Sequence, residues 1–288
     1  MNDYYKKFCY DDNPHYRLHH TIEACSQHSI PAHLHYDTSL VLTYYRKGTG
    51  NIRIEGQFYQ INPGDIVLLN PNEMHVCTID GGMPHERIAL YIKDSILEPF
   101  NCGSHTLFDA FYKRPNGQCN LICAANVEKY HMDEQLQKIL QLIQENSEES
   151  IILATCAIIE LLSLLKKVLT TQPTENLATS SGNKRINEVM QYLNANYDKQ
   201  LNIDMIAERF HFSKYHLCRM FKEYVGTTIG EYLICKRLIT FNQLVCQNYS
   251  LEEASCKVGF HNYSNFYRLY KKHMGITPTQ YKQKALEK

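Results

Sequence analysis

Two basic pairs, Arg219 with Lys222 and Arg268 with Lys271, recur 49 residues apart in a chain of 288 residues. Within each pair the i, i+3 spacing puts both side chains on one face of a helix. A guanidinium fork can bond O6 and N7 of a guanine together, whereas an ammonium meets a phosphate as a point charge. The same faces carry Tyr215 and Cys218 ahead of Arg219, and Ser264 and Tyr267 ahead of Arg268, with Lys214, Tyr263 and Asn265 beside them near the helix starts. Residues early in such a helix reach base edges and later ones meet phosphate. A lone basic face is usually just solvated; its repetition points to double-stranded DNA.

The elements that must position these side chains are themselves duplicated. Residues 202–222 read NIDMIAERFHFSKYHLCRMFK and residues 250–271 read SLEEASCKVGFHNYSNFYRLYK. At an offset of 48, Ile203, Ile206, Ala207, Phe210 and Phe212 fall on Leu251, Ala254, Ser255, Val258 and Phe260. At an offset of 49, Leu217, Arg219, Phe221, Lys222 and Gly226 fall on Phe266, Arg268, Tyr270, Lys271 and Gly275. The slip lies between two helices, where a turn absorbs it. Each copy therefore reads as a short helix (Ile203–Arg209; Leu251–Lys257), a tight turn and a second helix. Ser213 is the expected N-cap, Gly226 and Gly275 the expected stops, and Leu217, Met220, Phe221 and Tyr224 the inward face. Between the copies Ile229–Cys246 reads as one helix about 27 Å long, a rod suited to holding two readers about one B-DNA turn (~34 Å) apart.

Composition divides the chain in the same place. From residue 183 onward there are 16 Lys/Arg against 9 Asp/Glu, net +7, and before it 14 against 21, net −7. The basic half is the one that must face phosphate. Eleven cysteines are scattered without paired metal spacing and no secretory leader is visible, so reduced thiols in the cytoplasm are expected. The longest apolar run, residues 151–165, is interrupted by Thr155, Glu160 and Ser163 and is short for a membrane span. Residues 170–184, TTQPTENLATSSGNK, read as an interdomain linker between domains 1–169 and 185–288.

The N-terminal half shows LVLTYYRKG, GNIRIEG, QFYQINPGD, IVLLNP and RIALYIK, alternating segments with Gly/Pro punctuation that predict a small antiparallel barrel or double sheet. Two helices follow, residues 132–146 and 150–169. The first has the single stripe Leu136, Ile139, Leu140 and Ile143; the second is apolar on more than one side. An α+β chain of two domains is expected.

Residues 185–284 resemble the AraC/XylS family of bacterial transcription regulators, most specifically in AERFHFSKYHLCRMFK, EYLICKRL and KVGFHNYSNFYRLYKKHMGITPTQYK. Cys218 and Tyr267 depart from the resemblance, standing where polar readers are easier to explain, and Ser255 replaces the expected Ala. His33-Leu34-His35, Gly48, Pro63-Gly64-Asp65 and Pro71-Asn72-Glu73-Met74-His75 resemble a cupin barrel of the type fused to such DNA-binding regions. In cupin enzymes two His, a Glu and a further His hold a metal; here Ser39 stands where the carboxylate belongs, leaving His33, His35 and His75.

The resemblance implies a sensing barrel without catalytic metal or cofactor, holding a small-molecule effector; by strand position, His33, His35, Tyr44, Arg53 and His75 are the candidate ligand contacts. It also implies an activator that works with RNA polymerase, and a homodimer through Ile158, Leu161, Leu162 and Leu165 of the second helix. The alternative is a metal-dependent cupin enzyme carrying a DNA-binding tail, against which Ser39 argues.

Overall fold

A computed structural model describes residues 5–23, 37, 39–71, 73–100, 106–171 and 184–286. The chain forms two compact units, Met1–Gly182 and Asn183–Lys288.

Among the described residues nine strands build the first unit: β1 (Tyr5–Tyr10), β2 (Tyr16–Glu23), β3 (Leu40–Lys47), β4 (Gly50–Ile54), β5 (Gln57–Ile61), β6 (Ile66–Leu69), β7 (His75–Ile79), β8 (His85–Ile92) and β9 (Leu121–Ile122). They form a six-stranded sheet, order β1-β2-β8-β3-β6-β9, and a three-stranded sheet, order β5-β4-β7. The outcome is a double sheet, and every ladder is antiparallel. Alternation along the strands decides what each side chain meets. On β3, Val41 and Tyr45 point between the sheets, where Ile52, Ile54, Tyr59, Ile61, Val67 and Leu69 join them in one core. Leu40 and Leu42 point the other way, into a larger core shared with helices.

Those helices are α1 (Thr106–Tyr112), α2 (Ala124–Lys129), α3 (Met132–Glu145) and α4 (Glu148–Thr171), preceded by a 3-10 segment, Asp94–Phe100. α3 buries Leu136, Ile139, Leu140 and Ile143 as one stripe. α4 runs two residues beyond the expected end, and residues 172–183 of the expected linker lie outside the described residues. α4 packs against α1, α3 and the 3-10 segment, so it is covered on several sides. This corrects the expected dimer surface: Ile158, Leu161, Leu162 and Leu165 are all 0% exposed, sealed in the core of their own unit. The apolar residues that α4 does present are Ile151, Ile152 and Leu153, at its start.

One buried carboxylate ties the turn before β7 to the loop before β9. Glu73 accepts from the Asn70 backbone N–H (2.8 Å), Arg114 Nη2 (3.2 Å), the Gly117 N–H (2.9 Å) and Asn120 Nδ2 (2.9 Å). A buried ion so thoroughly satisfied is a structural clamp.

The second unit is helical: α5 (Lys184–Ala195), α6 (Ile203–Arg209), α7 (Lys214–Val225), α8 (Ile229–Cys246), α9 (Leu251–Lys257), α10 (Tyr263–Met274) and α11 (Pro278–Leu286). The two copies match at an offset of 48 for α6 and α9 and of 49 for α7 and α10, so the slip sits in the turn as the sequence implies. The extra residue is His261, between Phe260, which matches Phe212, and the N-cap Asn262, which matches Ser213.

Candidate nucleic-acid interface and ligand cavity

Caps fix where each helix starts. The Asn202 side chain accepts from the Asp204 N–H and begins α6; Ser213 accepts from the His216 N–H and begins α7. Ser250 and Glu253 form a reciprocal capping box at α9, and Asn262 accepts from the Asn265 N–H at α10. Gly226 and Gly275 adopt left-handed conformations and close α7 and α10. The phase of each second helix is thereby set. α7 buries Leu217, Phe221 and Val225, and α10 buries Phe266 and Tyr270. Met220 and Tyr224 are only half-buried.

The opposite faces are open. Lys214, Tyr215, Arg219 and Lys222 on α7 are exposed, as are Ser264, Asn265, Arg268 and Lys271 on α10; Cys218, Tyr263 and Tyr267 are half-buried. Tyr215 is 87% exposed, a large aromatic ring with no burial to explain its place. Lys214 Nζ meets Asp204 Oδ2 at 2.9 Å, and Arg219 Nε stands 3.9 Å from Glu223 Oε1. Arg268 Nη2 donates to the Asn265 side-chain oxygen. His216 is also exposed on α7, early enough to join the reading face, and sequence analysis did not single it out.

The two copies are also held to each other. Gly259, in the α9–α10 turn, has φ +90°, and a Cβ there would lie 2.2 Å from the Asp198 carbonyl oxygen. Beside it Arg237 of α8 donates from Nε to the Tyr197 carbonyl (2.7 Å) and from Nη2 to the Lys199 carbonyl (2.8 Å), with its guanidinium 5.5 Å from the Phe260 ring centroid. The turn of the second copy thus rests on the loop that leads into the first. Arg185 makes a related bracket in the first copy, over Phe212 at 4.0 Å and donating to the Phe210 carbonyl at 2.7 Å.

In the first unit a cavity of about 110 Å³ lies between the sheets, its lining including His19, Asp37, Tyr45, His75, Arg87 and Tyr91. Of the ligand contacts expected from the sequence, His75 lines it. His75 Nδ1 lies 3.0 Å from the Glu73 carbonyl, which can only accept, so the proton on that nitrogen is fixed; Nε2 is 3.8 Å from Asp37 Oδ2. Tyr44 and Arg53 are corrections. Tyr44 packs on the helix-facing core, and Arg53 alternates with the inward Ile52 and Ile54, its guanidinium 5.5 Å from the Phe58 ring centroid. Their neighbours in strand parity, Tyr45 and Ile52, take the places facing the cavity. His33 and His35 lie outside the described residues. Ser39 is buried.

Burial pushes the Cys77 thiol up despite hydrogen bonding to Tyr45, which keeps it a thiol rather than a nucleophilic thiolate. Among the described residues, one group of His, Cys and carboxylate ligand atoms is close enough to share an ion, Cys9, Asp11 and His19, with His19 Nε2 already 2.9 Å from Asp11 Oδ1.

Models of known families match both units. An AraC-like ligand binding domain matches residues 19–162, half of the chain, and a helix-turn-helix domain matches residues 206–284. The chain belongs to the AraC family of transcription regulators. The probable transcription factor PqrA of Proteus vulgaris is 31% identical over 101 residues, 34% of this chain and 83% of PqrA. The HTH-type transcriptional activator AarP of Providencia stuartii is 29% identical over 98 residues, 34% of this chain and 73% of AarP. The uncharacterized HTH-type transcriptional regulator YdiP of Escherichia coli K12 is 23% identical across 96% of this chain and 85% of YdiP. As an AraC-family regulator the chain pairs a DNA-binding unit with a ligand-binding unit, and the duplicated basic faces lie in the former. No helix of the described residues is long and apolar enough to cross a membrane.

Proposed function

We propose that this regulator is a ligand-responsive activator rather than an enzyme, working as a homodimer in the cytoplasm, with Arg219 and Arg268 reading bases and Lys222 and Lys271 clamping phosphates. The observation that carries the reading is the pair of capped helices α7 and α10, each presenting arginine and lysine on its open face while the Gly259–Asp198 contact holds the two copies together. One polypeptide then reads two successive major-groove segments about 10 bp apart.

The activator sign is supported by similarity to AarP, and contact with RNA polymerase follows from activation. The non-enzymatic reading is supported by the similarity to transcription regulators such as PqrA and AarP, and by Cys77 being held as a thiol. A resident metal or cofactor is not required by this reading. For the dimer, the surface put forward is the start of α4, where Ile152 and Leu153 stand 58% and 53% exposed.

The test is selection of binding sites from random duplex DNA, then transcription in vitro with RNA polymerase from the selected site. A bipartite consensus and increased transcript support the reading; absence of any sequence preference ends it. Sedimentation of the unmodified protein and of I152E/L153E checks the dimer, which predicts a shift to monomer without loss of fold.

A further inference from the structure

We propose that the cavity between the two sheets of the first unit takes a small carboxylate, anchored on Arg87. This rests on the reading of that unit as the effector-binding one.

Arg87 projects from β8 on the same face as Ala89 and Tyr91, into the space between the sheets, and lines the cavity. The groups whose charge or hydrogen bonding acts on its guanidinium are Tyr45, Cys77 and Tyr91, all neutral at physiological pH, and among the described residues no carboxylate is paired with it. A cation set among neutral groups in a place of restricted solvent access is costly unless a counter-charge arrives. Among the described residues the other charged groups nearby are mixed: Lys7 lines the cavity and Arg17 lies over the Tyr91 ring at 4.9 Å, while the lining Asp37 stands 3.8 Å from His75 Nε2 and Asp11 stands 2.9 Å from His19 Nε2. Each of these carboxylates has an imidazole beside it, which leaves Arg87 as the position that favours an anion. The flat fork of a guanidinium matches a carboxylate in two parallel hydrogen bonds, a geometry that a neutral hydroxyl cannot use. Phenols of Tyr45 and Tyr91 flank that position as further donors. The volume, about 110 Å³, suits a small molecule of about five non-hydrogen atoms better than a long acyl chain.

The experiment uses the full chain and a panel of two- to six-carbon mono- and dicarboxylates, each matched with its neutral amide, plus neutral sugars. Thermal unfolding and calorimetry read binding; anisotropy on the selected DNA site reads response. At least one carboxylate is expected to raise Tm while its amide does not. Arg87→Met should weaken that carboxylate by about tenfold or more, with Arg87→Lys retaining part of the affinity. Because the guanidinium has no carboxylate partner among the described residues, Arg87→Met should unfold at the same temperature as the parent or higher in the absence of ligand; if it fails to fold, Arg87→Lys and Arg87→Gln carry the comparison. The proposal is overturned if amides or sugars bind as well as carboxylates, if no carboxylate of the panel binds, or if Arg87→Met keeps full affinity. A neutral compound that changes DNA affinity would leave the sensing function standing and overturn only the carboxylate. Conversely, a carboxylate that binds through Arg87 yet leaves DNA affinity unchanged would sustain the site and end the sensing role.

Discussion

Arg268 donates from Nη2 to the side-chain oxygen of Asn265, one turn earlier on α10, and the Asn265 backbone N–H is itself held by the N-cap Asn262. The guanidinium is thus oriented by a residue that the helix cap fixes. Arg219, its counterpart on α7, instead faces the Glu223 carboxylate at 3.9 Å with both side chains 69% exposed, an ion pair too open to hold it firmly. Two equivalent positions have unequal preorganisation, and their substitutions should behave accordingly.

Arg268→Ala is expected to lose about 1–3 kcal/mol on the selected site and to relax sequence preference in one half of it, and Arg219→Ala to do the same in the other half. Asn265→Ala should reproduce part of the Arg268 loss, since it frees the fork without removing it. Repeating site selection with each variant measures this. An unchanged consensus for both arginine variants would leave specificity to neighbours such as Tyr215 and Tyr263.

Charge on the same faces predicts a second, sequence-independent set of effects. Lys222→Ala and Lys271→Ala should weaken all DNA alike and reduce the salt slope of log K by about 1 each. Glu223→Gln should act in the opposite direction, since it removes an anion from a phosphate-facing surface and releases Arg219; tightening of up to about fivefold at low salt is expected. Anisotropy titrations against random-sequence duplex over a range of salt concentrations would expose an error in sign.

The second unit was far more legible from sequence than the first, for physical reasons. Its helices carry local signals, a polar cap, a 3.6-residue apolar period and a stopping glycine, and the repeat supplied every signal twice, so α6, α8 and α9 begin and end where the pattern places them. In the first unit β1 and β2 went unread because KKFC and RLHH interleave charge and imidazole with the apolar positions. Tyr44 and Arg53 were assigned to the cavity from strand membership alone, whereas parity gives it to Tyr45 and Arg87. α4 misled in another way. An apolar surplus on a helix says that something covers it, and here the sheet and α3 do so. The hydrogen bond from Tyr270 to Asn242, 2.7 Å, and that from Tyr232 to Asn194, 2.8 Å, join residues 28 and 38 positions apart, a relation that no local pattern encodes.

The contact between copies gives the next prediction. Gly259→Ala would force a Cβ to within 2.2 Å of the Asp198 carbonyl oxygen, and the φ of +90° disfavours any side chain there. Gly275 has φ +71° with nothing within 4 Å of its would-be Cβ, so Gly275→Ala isolates the conformational part, about 1–2 kcal/mol. Gly259→Ala should cost clearly more in thermal unfolding, at least about 2–3 kcal/mol, and should weaken bipartite sites more than isolated halves. Equal costs at the two glycines would mean that the α9–α10 turn does not need its close seat on the α5–α6 loop.

The last prediction concerns acid. Both ring nitrogens of His85 are buried without a hydrogen-bond partner among the described residues, and burial, reinforced by the charge of Arg87, lowers its pKa from 6.5 to about 4. The folded imidazole is neutral where the unfolded one takes a proton, so the unfolded state binds more protons between those values and stability must rise with pH across that window. The contribution is full above pH 6.5 and is lost as pH falls towards 4, at most about 3 kcal/mol. Glu86 next to it acts lower: burial raises its carboxyl, but His20, Arg46 and Lys47 lower it by more, so its share disappears only beneath its ordinary 4.5. Denaturant unfolding from pH 7.5 to 4 should therefore show a decline that His85→Leu flattens, since leucine removes two unsatisfied nitrogens and nothing that titrates remains at the position. An imidazole resonance of His85 titrating near 6.5 in the folded protein, or a decline of equal steepness in His85→Leu, would overturn the assignment and place the acid sensitivity elsewhere in the first unit.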